Sequence, residues 1–89
     1  MAYRTEMRDE FRDALQDWIT DNKRIAVKVF DLMRIVSKTP FEGIGKPEPL
    51  KHNLSGMWSR RIDQEHRLIY EIQEDNELVI FISCYGHYL

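Results

Sequence analysis

The sequence is poor in the features that mark secreted and membrane proteins. It has one cysteine, Cys84, so an internal disulfide is impossible, which suits a reducing cytoplasm. No apolar stretch approaches the roughly 20 residues that a membrane-spanning helix needs. The opening MAYRTE is too polar for a signal peptide. We therefore expect a cytoplasmic protein that does not associate with a membrane.

A large charge of either sign is also missing. The formal net charge is −2, which argues weakly against a protein that binds nucleic acid. The charge is uneven, however: residues 32–70 hold seven Lys and Arg against four Asp and Glu, and the rest of the chain holds six against eleven. The middle of the chain can therefore face a polyanion while the remainder faces away from it.

The sequence also lacks a metal-binding pattern and any sign of a second domain. Its three histidines, His52, His66 and His87, have no metal-ligand spacing, so we expect no metal and no cofactor. A chain of 89 residues with 43% hydrophobic residues predicts one domain spanning residues 1–89. Its stability margin should be thin, since a chain of this length buries only about 60–65% of its unfolded surface.

Hydrophobic periodicity predicts two helices near the N-terminus. Apolar residues recur at helical spacing from about residue 9 to 21, and again in a segment that Asp21 or Asn22 can cap. Thr39-Pro40 should end the second helix, because the residue before a proline is pushed out of helical geometry. Residues 41–53 should form an ordered loop, since their glycines and prolines exclude regular structure.

A change to a period of two predicts three strands after the loop. The strands are expected over residues 57–62, 66–73 and 77–85, and short turns make them an antiparallel meander. The expected fold class is α+β, with two N-terminal helices packed on an antiparallel sheet.

The first hairpin of that sheet predicts a pair of arginines. If its turn is centred on Gln64, Arg61 lies opposite Arg67. Like charges directly opposite each other are destabilising, so the pair favours an anion between them, and phosphate suits a guanidinium fork. Two solvated arginines paired with carboxylates of the turn are the structural alternative. Strand alternation places one apolar set on the other face: Trp58, Ile62, Leu68, Tyr70 and Ile72.

Glu48 is the candidate general base, because it stands between Pro47 and Pro49. The two prolines restrict the backbone, so the carboxylate is presented with little entropy left to lose. Taken alone, this motif favours a solvated glutamate in a surface loop. A Pro-x-Pro ligand for an aromatic groove is a weaker alternative.

The closing CYGHYL contains the candidate general acid, His87, between Tyr85 and Tyr88. Histidine is the side chain best placed to exchange protons near neutral pH, and tyrosines can stack on bases. A frayed terminus is the alternative, and we expect Gly86 to uncouple the last residues from the strand. Cys84 fits a small buried residue better than a nucleophile.

Together these weak signals describe one chemistry. Metal-free RNA cleavage needs a base for the ribose 2′-hydroxyl, cations for the phosphorane and an acid for the departing 5′-oxygen. Glu48, the Arg61–Arg67 pair and His87 supply these three functions.

Three stretches, TPFEGIGKPEPLKHNLSGMWSRRI, EHRLIYEI and the final HY, closely resemble the YoeB (Txe) family of bacterial toxin ribonucleases from about residue 21 to 88. The resemblance implies a RelE-like, microbial-ribonuclease-like fold. It also implies an mRNA endonuclease that acts in the A site of the 70S ribosome and inhibits translation. A YefM-type antitoxin is expected to neutralise it, the complex to bind operator DNA, and a homodimer is possible.

Residue by residue, the resemblance puts the general base on Glu48, the general acid on His87 and the phosphate-stabilising arginine on Arg67. Further active-site positions fall on Lys51, Arg61 and Tyr88. The chain departs from the family at its N-terminus, where residues 3–7 are mostly polar, so a first strand is expected to be short or absent. The alternative is an inactive relative that binds only antitoxin and operator.

Overall fold

The computed structural model describes residues 2–86, which fold into two helices on one face of a five-stranded sheet. The elements in chain order are β1 (Arg4–Met7), α1 (Asp9–Asp21), α2 (Lys23–Lys38), β2 (Glu48–Pro49), β3 (Met57–Arg61), β4 (Arg67–Gln73) and β5 (Leu78–Ser83). The sheet order is β1-β5-β4-β3-β2. The α+β class and the packing of two helices on a sheet are confirmed.

The expectation of a wholly antiparallel sheet is wrong at one edge. β1 forms and pairs in parallel with β5, from Arg4 opposite Leu78 to Met7 opposite Phe81. All four β1 residues are exposed, so no alternation of apolar and polar residues marks this strand. Main-chain hydrogen bonds anchor its ends: the Arg4 N–H donates to the Glu77 carbonyl at 2.8 Å, and the Arg8 N–H donates to the Phe81 carbonyl at 3.0 Å.

The two helices have the predicted bounds. The Asn22 side chain accepts a hydrogen bond from the Ile25 N–H and caps α2, which ends at Lys38, directly before Thr39-Pro40. Their apolar stripes meet the inner face of the sheet in one core. Its buried members are Phe11, Leu15, Val29, Leu32, Val36, Ile62, Leu68, Tyr70, Val79, Phe81 and Cys84. Neither helix has the length and apolarity that crossing a membrane would require.

The loop predicted for residues 41–53 is more regular than expected. Residues Glu48–Pro49 form β2, in which Glu48 lies opposite Ser59 of β3, and His52–Leu54 form a 3₁₀ turn. A proline is compatible with β2 because this strand lies at the edge of the sheet.

The predicted register of the β3–β4 hairpin is confirmed. Arg61 lies opposite Arg67, Ser59 opposite Ile69 and Trp58 opposite Tyr70. The apolar set predicted for one face packs in the helix-covered core. The other face, called the outer face below, carries a second apolar cluster: Ile69, Leu78, Ile80 and Ile82, with Leu50 and Met57 packed against them.

Candidate active site

Glu48 reaches the outer face through β2. Its partner Ser59 and the next outward residue of β3, Arg61, share that face, because side chains two apart in a strand point to the same side. Diagonal neighbours of this kind have Cβ atoms roughly 7–8 Å apart. The exposed Glu48 side chain is therefore a diagonal neighbour of Arg61, on the face that Arg61 shares with Arg67.

The arginine pair lies at the turn end of the β3–β4 hairpin. Arg61 is exposed, whereas Arg67 is half-buried and held in place. The Arg67 Nη1 donates to the carbonyl oxygens of Asp63 at 2.7 Å and His66 at 3.1 Å. The Arg67 guanidinium is therefore held in one position, whereas the exposed Arg61 side chain can change its conformation.

Lys28 brings a third positive charge from α2. It lines a cavity of about 390 Å³ together with Arg61 and Arg67. Within residues 2–86 none of these three cations forms an ion pair with a carboxylate. The cavity can therefore accept an anion the size of a phosphate group, and sequence reasoning missed Lys28.

Asp63 is the one carboxylate among the residues lining this cavity. Its Oδ1 accepts hydrogen bonds from the backbone N–H groups of Glu65 at 2.8 Å and His66 at 2.7 Å. Desolvation acts to raise the pKa of Asp63, but these bonds and the nearby Arg67 charge outweigh it and hold the pKa below its ordinary value. The carboxylate is thus engaged with its own turn.

Arg60 was missed by the sequence reasoning, and it is fully buried. Its guanidinium donates to the Tyr70 hydroxyl at 3.2 Å, and to the carbonyls of Thr39 at 3.1 Å, Pro40 at 3.4 Å and Ile44 at 3.4 Å. These bonds tie the loop that precedes Glu48 to the hairpin. Strand alternation could have predicted this burial, because Arg60 is two residues away from each of the inward-facing positions 58 and 62.

Gly45 lets the loop pack closely against the Arg60 side chain, because glycine has no Cβ. Its φ is +87°, and a Cβ there would stand 2.6 Å from the Arg60 Cγ. The Gly45 carbonyl also accepts a hydrogen bond from the Arg61 N–H at 2.6 Å. A side chain at this position would displace Arg60 and the approach to Glu48.

Two other titratable side chains belong to the core. Burial raises the pKa of the Tyr70 hydroxyl, although its bond with Arg60 acts in the opposite direction. Burial also raises the pKa of the Cys84 thiol to about 11, so it is a protonated core residue and not a nucleophile, as expected. Within residues 2–86 no cluster of three or more His, Cys, Asp or Glu could hold a metal ion.

The C-terminal candidates lie partly beyond the described residues. His87 and Tyr88 are outside them, so their predicted roles stay predictions. The expectation that Gly86 uncouples the residues after it also concerns positions outside the described ones and stays a prediction, but Gly86 itself is bonded on both sides. Its N–H donates to His66 Nδ1 at 2.9 Å, and its carbonyl accepts from the Arg67 N–H at 2.9 Å.

Lys51 is the predicted site residue that the fold leaves apart. It is exposed and follows β2 at the end away from Arg61. The fold thus brings Glu48, Arg61 and Arg67 together on one face. A carboxylate that shares a face with two cations can remove a proton from a group next to a phosphate that those cations bind.

Comparison with known proteins identifies the family of the chain. The family described as "YoeB-like toxin of bacterial type II toxin-antitoxin system" matches residues 7–88. Toxin YoeB of Escherichia coli (strain K12) is 54% identical over 71 residues, which cover 80% of this chain and 82% of that protein.

Solved structures show the same fold. The YoeB/ParE toxin from Agrobacterium tumefaciens has a TM-score of 0.90 at 38% identity, covering 96% of this chain and 99% of that chain. YoeB from Staphylococcus aureus, covering 99% of this chain and 100% of its own, matches as a dimer (TM-score 0.86, 34% identity). Over the same coverage it also matches in a complex with YefM (TM-score 0.84, 32% identity).

Proposed function

The chain belongs to the YoeB-like toxin family of bacterial type II toxin–antitoxin systems, and from this we propose that it is an endoribonuclease that cleaves mRNA in the ribosomal A site and so inhibits translation. The observation that supports this most is that Glu48, Arg61 and Arg67 lie on the same face of the sheet, while the two arginines also line a cavity that can hold an anion. The alternative, a binding module without activity, accounts for the arginine pair as an antitoxin-binding surface but not for the carboxylate displayed on the same face.

The proposed reaction is an acid–base transesterification. Glu48 removes the proton of a ribose 2′-hydroxyl, and the freed oxygen attacks the adjacent phosphorus. Arg67, with Arg61, stabilises the negative charge of the phosphorane. His87 gives a proton to the departing 5′-oxygen. The products are a 2′,3′-cyclic phosphate, or the 3′-phosphate formed when it opens, and a 5′-hydroxyl.

The remaining assigned residues bind RNA in this proposal. Tyr88 stacks on a base or steadies the scissile phosphate, while Lys51 contacts the RNA backbone away from the reacting group. Side chains supply base, cations and acid, so the proposed mechanism uses no metal and no cofactor.

The proposed partners are the 70S ribosome with its mRNA and a YefM-type antitoxin. An antitoxin segment that is disordered when free would lie across the outer face, where Arg61 and Arg67 attract acidic residues. The YefM complex and the dimer of the Staphylococcus aureus relative support an antitoxin and a homodimer. Operator DNA would be bound through the antitoxin complex.

The test is Glu48→Gln, measured as ribosome-dependent mRNA cleavage by the purified protein. The amide keeps the shape of the side chain but is not a base, so we expect the rate to fall about a hundred- to ten-thousand-fold with unchanged thermal melting. Glu42→Gln is the matched control, since Glu42 is exposed in the loop before β2.

Wild-type rates in Glu48→Gln would refute the base assignment. Expression of the wild-type protein without antitoxin should arrest growth and translation. Unchanged growth would favour the inactive binding module instead.

A further inference from the structure

His66 is a buried histidine that the proposed reaction does not use. It ends the β3–β4 turn directly before Arg67, and only 7% of its surface is exposed. Its ring packs edge-on against Trp18, with centroids 4.8 Å apart, and against Tyr85 at 4.9 Å. Such a residue is usually a satisfied part of the core, so its polar contacts decide whether it does more.

The side chain of His66 holds the C-terminal segment at Gly86. Nδ1 accepts the Gly86 N–H at 2.9 Å, so this nitrogen carries no proton. The next residue, Arg67, donates its own N–H to the Gly86 carbonyl, also at 2.9 Å. Gly86 is thus fixed on both sides, at a φ of +74° where a chain would otherwise have wide freedom.

The main chain of His66 holds the phosphate-binding arginine. Its carbonyl accepts a hydrogen bond from Arg67 Nη1 at 3.1 Å. One residue therefore fixes the Arg67 guanidinium through its carbonyl and the last residue before His87 through its ring. The His66 ring thus supplies one of the two hydrogen bonds that fix Gly86 next to Arg67, and it is the one that a substitution can remove.

We propose that His66 is a positioning residue for RNA cleavage, which by holding Gly86 sets the point from which His87 reaches the phosphate beside Arg67. This rests on the proposed function, in which His87 is the general acid. An acid must come within hydrogen-bond reach of the departing oxygen, and a misplacement of about 1 Å can cost about a hundred-fold in rate. His66 itself touches neither RNA nor the reacting atoms.

Three substitutions separate the acceptor from the packing. His66→Phe keeps an aromatic ring against Trp18 and Tyr85 but removes the acceptor. His66→Asn places an oxygen close to the position of Nδ1, so it can still accept from Gly86. His66→Gln is its matched control, because its oxygen lies near the position of Nε2 instead.

We expect the order of activity to differ from the order of stability. His66→Phe should melt highest of the three variants, since it buries the largest apolar ring, yet its single-turnover cleavage on saturating ribosomes should fall about ten- to a hundred-fold. His66→Asn should recover most of that loss, and His66→Gln should not. The change should appear in kcat and not in KM, because His66 is buried away from the RNA.

The Gly86 amide gives a second readout that does not depend on activity. Its proton should exchange slowly with solvent in the wild type and His66→Asn, and faster in His66→Phe and His66→Gln. Wild-type cleavage by His66→Phe with a fast-exchanging Gly86 would overturn the inference.

The inference would also be overturned if His66→Asn were no more active than His66→Gln. The comparison of these two variants tests the inference even if His66→Phe does not fold. A wild-type protein that cleaves no mRNA would overturn the proposed function and this inference with it. Failure of the His66 series in an active wild type overturns the inference alone.

Discussion

Among single residues, Arg60 shows how a buried cation can be accommodated without a carboxylate. Transferring an arginine out of water is costly unless its donors are satisfied. Here three backbone carbonyls and the Tyr70 hydroxyl, which itself donates to the Pro40 carbonyl at 3.0 Å, surround the guanidinium. Those carbonyls all belong to residues 39–44, so the charge fixes the loop leading to Glu48.

We predict that Arg60→Lys lowers the free energy of unfolding by about 2–4 kcal/mol, because an ammonium cannot reach the carbonyls on both sides of the planar fork. Denaturant unfolding measures the effect. Arg61→Lys, at the exposed neighbouring position, is the control and should change stability by less than about 0.5 kcal/mol. Equal stabilities of the two variants would show that the Arg60 bonds contribute nothing net.

Residue positions were predictable where one face of a strand had to be buried. The Arg61–Arg67 pairing followed from alternation, because a slip by one residue would expose the apolar face. The same rule places Arg60 and His66 inside, but both are polar and were assigned no contacts. Their partners, at positions 39–44 and at Gly86, are distant in sequence and become neighbours only through the fold.

Among the elements, the β3–β4 turn is stabilised by one carboxylate. The pKa of Asp63 is lowered in the folded protein, so its ionised form is stabilised by folding. That stabilisation is complete above the ordinary pKa of 3.8 and is lost as pH falls through the lower folded value. The contribution of the Asp63 carboxylate to the turn should therefore be lost in acid.

We predict that Asp63→Ala lowers the free energy of unfolding at pH 7 by about 1 kcal/mol, since two backbone hydrogen bonds lose an exposed partner. Urea unfolding at a series of pH values should show the difference from wild type narrowing below pH 3.8. Asp75→Ala, in the exposed turn between β4 and β5, is the control. A difference that persists unchanged at pH 2 would show that the carboxylate charge is irrelevant.

The two edge strands were the elements that sequence patterns could not give. β1 is exposed along its whole length, so no hydrophobic period marks it, and its charged side chains protect the sheet edge from further pairing. β2 is two residues long and contains a proline, so the local sequence predicts a loop at this position. Both are held in the sheet by main-chain pairing with a neighbouring strand.

For the whole molecule, topology concentrates charges that the net value of −2 conceals. The turn between β3 and β4 brings Arg61 and Arg67 to one end of the sheet, where α2 adds Lys28. The acidic turn at Glu74–Asn76 lies at the other end of β4. The uneven charge along the sequence predicted this polarity in outline, whereas the contribution of α2 required the fold.

The C-terminal segment allows chemistry to be separated from folding. Contacts described for this segment end at Gly86: Tyr85 stacks on Trp18 with centroids 5.6 Å apart, the Trp18 Nε1 donates to the Cys84 carbonyl at 3.0 Å, and Gly86 is bonded to His66 and Arg67. A chain ending at Gly86 keeps all of these contacts. A chain ending at Cys84 loses the stacking and both Gly86 bonds.

We therefore predict that deleting residues 87–89 leaves the melting temperature within a few degrees of wild type, whereas deleting residues 85–89 lowers it by about 4–8 °C for each kcal/mol lost. Both truncated proteins should fail to cleave mRNA on ribosomes, because each lacks the proposed acid His87. The protein with the shorter deletion should still bind the antitoxin through the outer face.

Thermal melting, cleavage and antitoxin affinity measured on the two truncated chains test this prediction. Near-normal cleavage after deletion of residues 87–89 would remove His87 from the mechanism, and equal melting of the two chains would show that the contacts of Tyr85 and Gly86 do not stabilise the fold.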